Sequence, residues 1–225
     1  NLARGFLEQG LKVDMILARA CGSLLEQLPS EIRLIDLKAE SKISILPKLV
    51  KYLREENPAS MLAALHYPCE IALFAKRIAG VSTRIVVSEH NHLSLEAKRI
   101  PQLSVRLTPL AARLLYPWAD GIVSVSQGVA EDLAKVTKLP KKRIDLIYNP
   151  VITPELFVKA REKLNHPWFQ PGEPPVILAV GRLHLQKDYP TLLRAFLKVR
   201  QQRPCRLVIL GEGPEKENLN KLINE

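Results

Sequence analysis

Short runs rich in β-branched and leucine residues alternate with longer stretches of helical period along most of this chain, a pattern that calls for parallel strands covered by helices. The runs 11–17 (LKVDMIL), 32–37, 61–65, 84–88, 119–126 and 144–148 are expected to be strands. Between them, Ile45, Leu46, Leu49, Val50 and Leu53 recur at helical spacing, with Pro47 assigned to the first turn and Asn57-Pro58 to the helix end. Further helices are expected over 69–79, closed by Gly80, and over 129–136. The residues before Gly10 read as the tail of another helix, so the chain is expected to open inside a strand-helix unit.

Residues 151–175 differ in character. Pro150, Pro154, Pro167, Pro171, Pro174 and Pro175 surround one charged helix over 155–164, and proline at this density suits a connection between domains. The strand-helix pattern then restarts with a strand over 176–180, a helix over 190–202 that buries Leu192, Leu193, Phe196 and Val199, and a strand over 206–210. Gly211-Glu212-Gly213-Pro214 opens a last helix, with Gly213 read as its N-cap and Pro214 as its first residue. The expected division is an N-terminal α/β domain over 1–150, a linker over 151–175 and the beginning of a second α/β domain over 176–225. Two strands are too few to support a domain alone, so the second domain is expected to be incomplete.

No apolar run approaches the roughly 18 to 20 residues of a membrane-spanning helix, and Asn1-Leu2-Ala3-Arg4-Gly5 does not read as a targeting signal. Cys21, Cys69 and Cys205 are odd in number and far apart, which suits reduced cysteines of a cytosolic protein better than disulfides or thiolate metal ligands. With 33 Lys+Arg against 23 Asp+Glu, the net charge of +10 favours an anionic partner. Aromatic residues make up only 5% and the basic residues are spread along the chain, so an anionic small molecule or a membrane surface is preferred over nucleic acid.

Residues 176–188, VILAVGRLHLQKD, carry the most chemistry. A buried strand ends in Gly181, Arg182 follows at once, and Lys187 comes five residues later, with Asp188 placed to cap the next helix ahead of Pro190. In open α/β sheets, ligands sit beyond the carboxyl ends of the strands. A guanidinium and an ammonium delivered there by one loop can hold two neighbouring phosphates, the arginine through its bidentate fork and the lysine as a point charge. The alternative is a solvated basic loop.

Read with the later run LVILGEGPEKENL, the segment GRLHLQKDYPTLLRAF resembles the second-domain opening of the family-four glycosyltransferases of GT-B fold. The resemblance implies two Rossmann-like domains facing a cleft, and retaining transfer of a sugar from a nucleotide-diphosphate donor. It implies no bound metal and no cofactor beyond that donor substrate. It also implies that Arg182 and Lys187 bind the donor diphosphate and stabilise the departing nucleotide, beside Gly181 and the loop of Gly211 and Gly213. In the first domain, Ser88-Glu89-His90-Asn91-His92 follows the strand RIVV, and the likeness places His90 near the transferred sugar or acceptor, with Glu89 and Asn91 as neighbouring candidates. His90 and His92 lack a third ligand at a recognisable spacing, so a metal site is not expected. ADGIVSVSQGVAEDL followed by LIYNPV is a further point of likeness, with Ser126 readable as a helix cap or as a cleft contact.

Two elements implied by the resemblance are expected to lie outside this chain: a first strand with a Gly-Gly loop upstream of Asn1, and a pair of glutamates seven residues apart beyond Glu225. The chain alone is therefore not expected to carry full activity. A sugar-nucleotide epimerase of the same fold, or a non-catalytic relative that binds nucleotide or membrane, are the rival readings. A saccharide or lipid-linked acceptor is expected, and a cytoplasmic location with peripheral contact at the inner face of the membrane.

Between Lys98 and Trp118, Arg99, Arg106 and Arg113 recur every seven residues among Leu103, Leu107, Leu110, Leu114 and Leu115. Basic residues on one helical face invite a membrane-surface reading. Pro109 and Pro117 interrupt the segment, and so rich an apolar face is expected instead to pack against a sheet.

Overall fold

The computed structural model describes residues 1–224 apart from the side chains of Ser23 and Lys42. It comprises two compact units, Asn1–Thr153 and a second starting at Pro154. The first runs α1 (Leu2–Glu8), β1 (Asp14–Leu17), β2 (Arg33–Asp36), α2 (Lys42–Glu56), β3 (Ser60–Ala64), α3 (His66–Ala79), β4 (Arg84–Glu89), α4 (Leu93–Arg99), α5 (Leu103–Arg106), α6 (Thr108–Leu115), β5 (Gly121–Ser124), α7 (Gln127–Thr137) and β6 (Asp145–Leu146). The second contains α8 (Pro154–Ala160), β7 (Val176–Val180), α9 (Tyr189–Gln202), β8 (Arg206–Leu210) and α10 (Lys216–Asn224). Every pairing is parallel: β1 with β2, then β3-β4-β5-β6 in that order, and β7 with β8. This is the expected α/β class, with helices connecting parallel strands in both units.

Local chemistry explains most helix boundaries. Ser41 and Ser44 form a reciprocal capping box that starts α2, and Asn57 ends it in the left-handed region just before Pro58. Gly80 closes α3 at φ 69°, which glycine adopts without the steric cost of a Cβ. Ser126 caps α7, its Oγ accepting from the Val129 N–H at 3.3 Å.

Several elements are shorter than expected, with β1 beginning at Asp14, β6 confined to Asp145–Leu146 and α8 ending at Ala160, and β7, expected to be buried, exposes Ile177, Leu178 and Val180; four further changes have a local cause. Pro47 lies in the second turn of α2, not the first, and the helix continues through it, held by the capping box and by buried Leu49, Val50, Tyr52 and Leu53. β5 starts at Gly121, because the Ala119 N–H bonds Tyr116 O and the Asp120 carboxylate takes the Ile85 N–H and the Lys76 ammonium, each at 2.7 Å. Asp188 stands at the start of α9 in the left-handed region and caps it only through its carbonyl, not its side chain. Finally, α10 begins at Lys216, so Gly213 and Pro214 belong to the preceding turn.

The core of the first unit gathers Leu53, Leu73, Ile85, Val87, Leu93, Ile122 and Leu133 between strands and helices, with Ile16 and Ile35 packed against it. The second unit has a smaller core of Leu183, Tyr189 and Leu219, supported by Ala179, Leu192, Leu193 and Ile209. Each such side chain contributes about 1.5–3 kcal/mol by leaving water.

Candidate functional site

Val180 and Leu210 are register partners at the ends of β7 and β8, so Gly181 and Gly211 leave the same edge of that sheet. The two loops are stitched together there. The Gly181 N–H donates to Leu210 O at 2.9 Å, the Leu183 N–H to Glu212 O at 3.0 Å, and the Glu215 N–H to Leu183 O at 3.1 Å. Close approach explains the glycines: a Cβ on Gly211 would lie 1.9 Å from Gly181 O, and one on Gly213 would lie 2.2 Å from Leu183 O. No side chain fits at such distances.

Leu183 anchors this loop in the core, and its neighbour Arg182 is exposed. Lys187 ends a single 3-10 turn, Leu185–Lys187, whose first free N–H, that of Gln186, is taken by His184 Nδ1 at 3.3 Å. The Tyr189 hydroxyl donates to Gly181 O at 3.0 Å and fixes the turn from the other side. The stem of Lys187 passes Gly181, where an added Cβ would meet its Cε at 3.7 Å. Gly181, Arg182, Lys187, Gly211 and Gly213 are thus gathered at one strand edge, with both cations exposed.

In the first unit the register pairs Ala64 with Ser88 and Glu89 with Ser124, which sets the loops after β3, β4 and β5 along one sheet edge. His90 Nε2 lies 3.2 Å from Ser88 Oγ. An added Cβ on Gly128 would lie 3.0 Å from His92 Nε2, so the loop after β4 meets the start of α7. Asp132 of α7, itself buried, accepts from the Ser94 N–H at 3.1 Å and from its hydroxyl, which seats the start of α4. His90, Asn91 and Ser126 are half-buried at this edge.

Glu89 is placed differently. Its side chain has no exposed surface; it accepts from the Tyr116 hydroxyl at 2.8 Å and from the His90 and Asn91 N–H groups at 3.1 and 3.4 Å. It therefore shapes the backbone that presents His90 and Asn91, from behind the loop. Ser126 likewise spends its hydroxyl on the α7 cap.

Sequence reading passed over His66, Glu70 and Tyr116. Leu65 at φ 72° turns the chain from β3 into α3, a strained conformation for a residue with a Cβ, and His66 follows it at the helix start. His66 Nδ1 lies 3.8 Å from Glu96 Oε2, and Glu70 sits one turn further along. Burial pushes the Glu70 carboxyl up to about 7, with the Glu89 charge adding to the effect, and burial also raises Glu89 against the pull of the Tyr116 hydrogen bond. Burial pushes the Cys69 thiol up to about 12, so it is inert, and Sγ donates to Ala63 O at 3.2 Å. Cys69 and Cys205 are buried, Cys21 is exposed, and all three are free. The available signal was position: His66 and Glu70 stand four residues apart in the first turns of a helix following a parallel strand.

The raised Glu70 has a measurable consequence. A carboxyl raised in the folded state holds its proton more tightly there than when unfolded, so its stabilisation is complete below about 4.5 and declines as pH rises towards 7. Glu70→Gln removes that decline. It is expected to raise stability at pH 8 by about 1–2 kcal/mol, a figure discounted for partial exposure, and by less at pH 5. Thermal melts at the two pH values check this, and an equal difference at both would show that the burial of charge is not its cause.

The Glycosyltransferase Family 4 model matches residues 1–154, and the Glycosyl transferases group 1 model matches residues 160–225. The N-acetylgalactosamine-N,N'-diacetylbacillosaminyl-diphospho-undecaprenol 4-alpha-N-acetylgalactosaminyltransferase of Campylobacter jejuni is 33% identical over 161 residues, covering 72% of this chain and 41% of that protein. Sucrose-phosphate synthase from Thermosynechococcus elongatus superposes with a TM-score of 0.71 at 18% identity, covering 99% of this chain and 60% of the other. Anabaena HepE in complex with UDP and glucose gives 0.67 at 17% identity, covering 99% and 61%. These two structures show the GT-B type of fold, and the chain spans less than two thirds of each of the three proteins. With that family model covering more than half of its length, the chain belongs to glycosyltransferase family 4.

Proposed function

We propose that the protein transfers a sugar from a nucleotide-diphosphate donor to a saccharide or lipid-linked acceptor, with retention of anomeric configuration and without a bound metal. The observation that carries this reading is the delivery of Arg182 and Lys187 by one loop to the carboxyl edge of β7, against the glycine loop after β8.

As the bond between the anomeric carbon and the diphosphate breaks, negative charge develops on the leaving phosphate oxygens. Arg182 offers paired N–H groups to one phosphate and Lys187 a compact charge to the next, both carried on backbone that the anchored Leu183 and the 3-10 turn set before the reaction begins. Charges set in advance stabilise the transition state without reorganising. The glycines keep the two loops close enough for one diphosphate to touch both. On the first unit, His90 and Asn91 stand at a strand edge with their backbone shaped by Glu89, and the reading assigns them to contact with the sugar or the acceptor. A front-face departure and attack needs no nucleophilic carboxylate, which fits the withdrawal of Glu89 behind its loop.

The Campylobacter relative is named for a diphospho-undecaprenol acceptor, which supports the lipid-linked option, and HepE holds UDP, which supports a uridine donor. The test is a screen of nucleotide sugars against saccharide and lipid-linked acceptors, read by product mass and by the anomeric coupling of the product. An acceptor gaining one sugar residue with the donor's configuration is expected. An epimerised nucleotide sugar with no acceptor product would favour the epimerase reading instead.

A further inference from the structure

Lys187 lies farther along the chain from a buried anchor than Arg182 does. Leu183 and Tyr189 are buried at the two ends of the loop, but Leu185, Gln186, Lys187 and Asp188 between them are all exposed, so no core packing fixes the stretch that carries the ammonium. The exit from the turn is unfavourable as well, because Asp188 adopts φ 49°, a left-handed conformation in which a Cβ is crowded. Among the described residues, the one side-chain hydrogen bond made within 184–188 runs from the Gln186 N–H to His184 Nδ1, at 3.3 Å. The His184 carbonyl takes the Lys187 N–H at 2.8 Å, so a single residue holds both the start and the close of the turn. Its ring accepts there only while Nδ1 carries no proton, which puts the ring proton on Nε2.

We propose that His184 is a positioning residue for the donor diphosphate, acting through the turn that presents Lys187. The proposal rests on the reading of Lys187 as a diphosphate ligand and adds the residue that sets it. A 3-10 turn of three exposed residues is marginal by itself. The imidazole cap shifts the balance towards the closed turn, and an ammonium on a four-carbon stem loses less freedom on meeting a phosphate when its backbone is already set. The second unit contains its own comparison. His166 caps the 3-10 turn Pro167–Phe169 in the same way, its Nδ1 accepting from the Trp168 N–H at 3.1 Å. There the ring also stands edge-on to Trp168 and Phe169, and the turn carries no basic residue. The same cap therefore serves once where aromatic rings support the turn and no charge is presented, and once where the turn ends in a lysine and lacks such rings.

Titration of the whole protein with the tightest-binding of uridine, adenosine and guanosine diphosphates tests the proposal. His184→Ala is expected to weaken diphosphate binding by about fivefold, the scale for losing one side-chain cap. His184→Asn, whose side-chain oxygen is a good cap, should bind within about twofold of the parent. In a Lys187→Ala background, His184→Ala should add almost no further loss, because a residue that acts through Lys187 then has nothing to position. Amide exchange at Gln186 should quicken in His184→Ala and not in His184→Asn, which reports the cap without any ligand. His166→Ala should leave diphosphate binding unchanged. Parental binding by His184→Ala while Lys187→Ala binds weakly, the same loss from His184→Ala with and without Lys187, an equal loss in His166→Ala, or failure of His184→Asn to restore binding would each overturn the proposal. Full binding by Lys187→Ala itself would instead remove the diphosphate reading of Lys187, and the proposal with it.

Discussion

Alanine in place of Arg182, or of Lys187, is expected to lower sugar transfer by the whole protein on the order of a hundredfold or more, the scale for removing a preorganised charge partner from a transition state. The reasoning follows from the loop. Leu183 is buried, Tyr189 grips Gly181 O, and Lys187 ends a 3-10 turn, so the backbone that carries both cations is set before charge builds on the leaving diphosphate. Both side chains are exposed, and truncating them removes no core packing, so stability should hardly change. Arg182→Lys keeps the charge but not the fork and is expected to fall between. Initial-rate measurements with a melt on each variant check this, and near-parental turnover in a folded alanine variant would remove that residue from the diphosphate assignment.

Gly211→Ala and Gly213→Ala are expected to act through stability. A methyl group at either position meets backbone oxygen at 1.9 or 2.2 Å, and neither Gly181 O nor Leu183 O can retreat without breaking the hydrogen bonds that join the loops. The second unit has a small core around Leu183, Tyr189 and Leu219 to resist this, so a loss on the order of 3–5 kcal/mol is expected, at the upper end for single substitutions. The first unit keeps its own core. Amide hydrogen exchange should therefore show protection lost in β7 and β8 and kept in β3, β4 and β5. A Gly213→Ala protein with unchanged exchange in β7 and β8 would mean that the loops can part at little cost.

Much of this fold was legible because its signals are local. β7 and β8 occupy the residues their apolar runs predict, and Ser126 caps the helix it precedes. Errors arose where a tertiary partner decides. Ala119 and Asp120 have strand-like neighbours, but Asp120 is drawn to Lys76 and the Ile85 amide, which the sequence does not reveal. Gly213 and Pro214 look like a helix start; the approach of Leu183 O makes them a turn. In the site, the place of Arg182 and Lys187 after β7 could be read from the sequence, whereas their diphosphate role is what the family resemblance implies. By contrast, the meeting of Glu70 with Glu89, and of Glu89 with Tyr116, depends on packing between residues 19 and 27 positions apart. The outward leucines of α5 and α6 were misread for the same reason, since periodicity reveals an apolar face but not whether anything covers it.

Titration of the protein with nucleoside diphosphates and the matching monophosphates bears most directly on the central claim, that Arg182 and Lys187 hold a donor diphosphate. The account predicts that the diphosphate of the preferred base binds at least about tenfold more tightly than its monophosphate, as one further charge-assisted contact to the added phosphate requires. It also predicts that replacing both residues by alanine erases this preference, lowering the diphosphate affinity more than that of the monophosphate. Equal affinity for the two nucleotides, or a diphosphate preference that survives the double replacement, would contradict it.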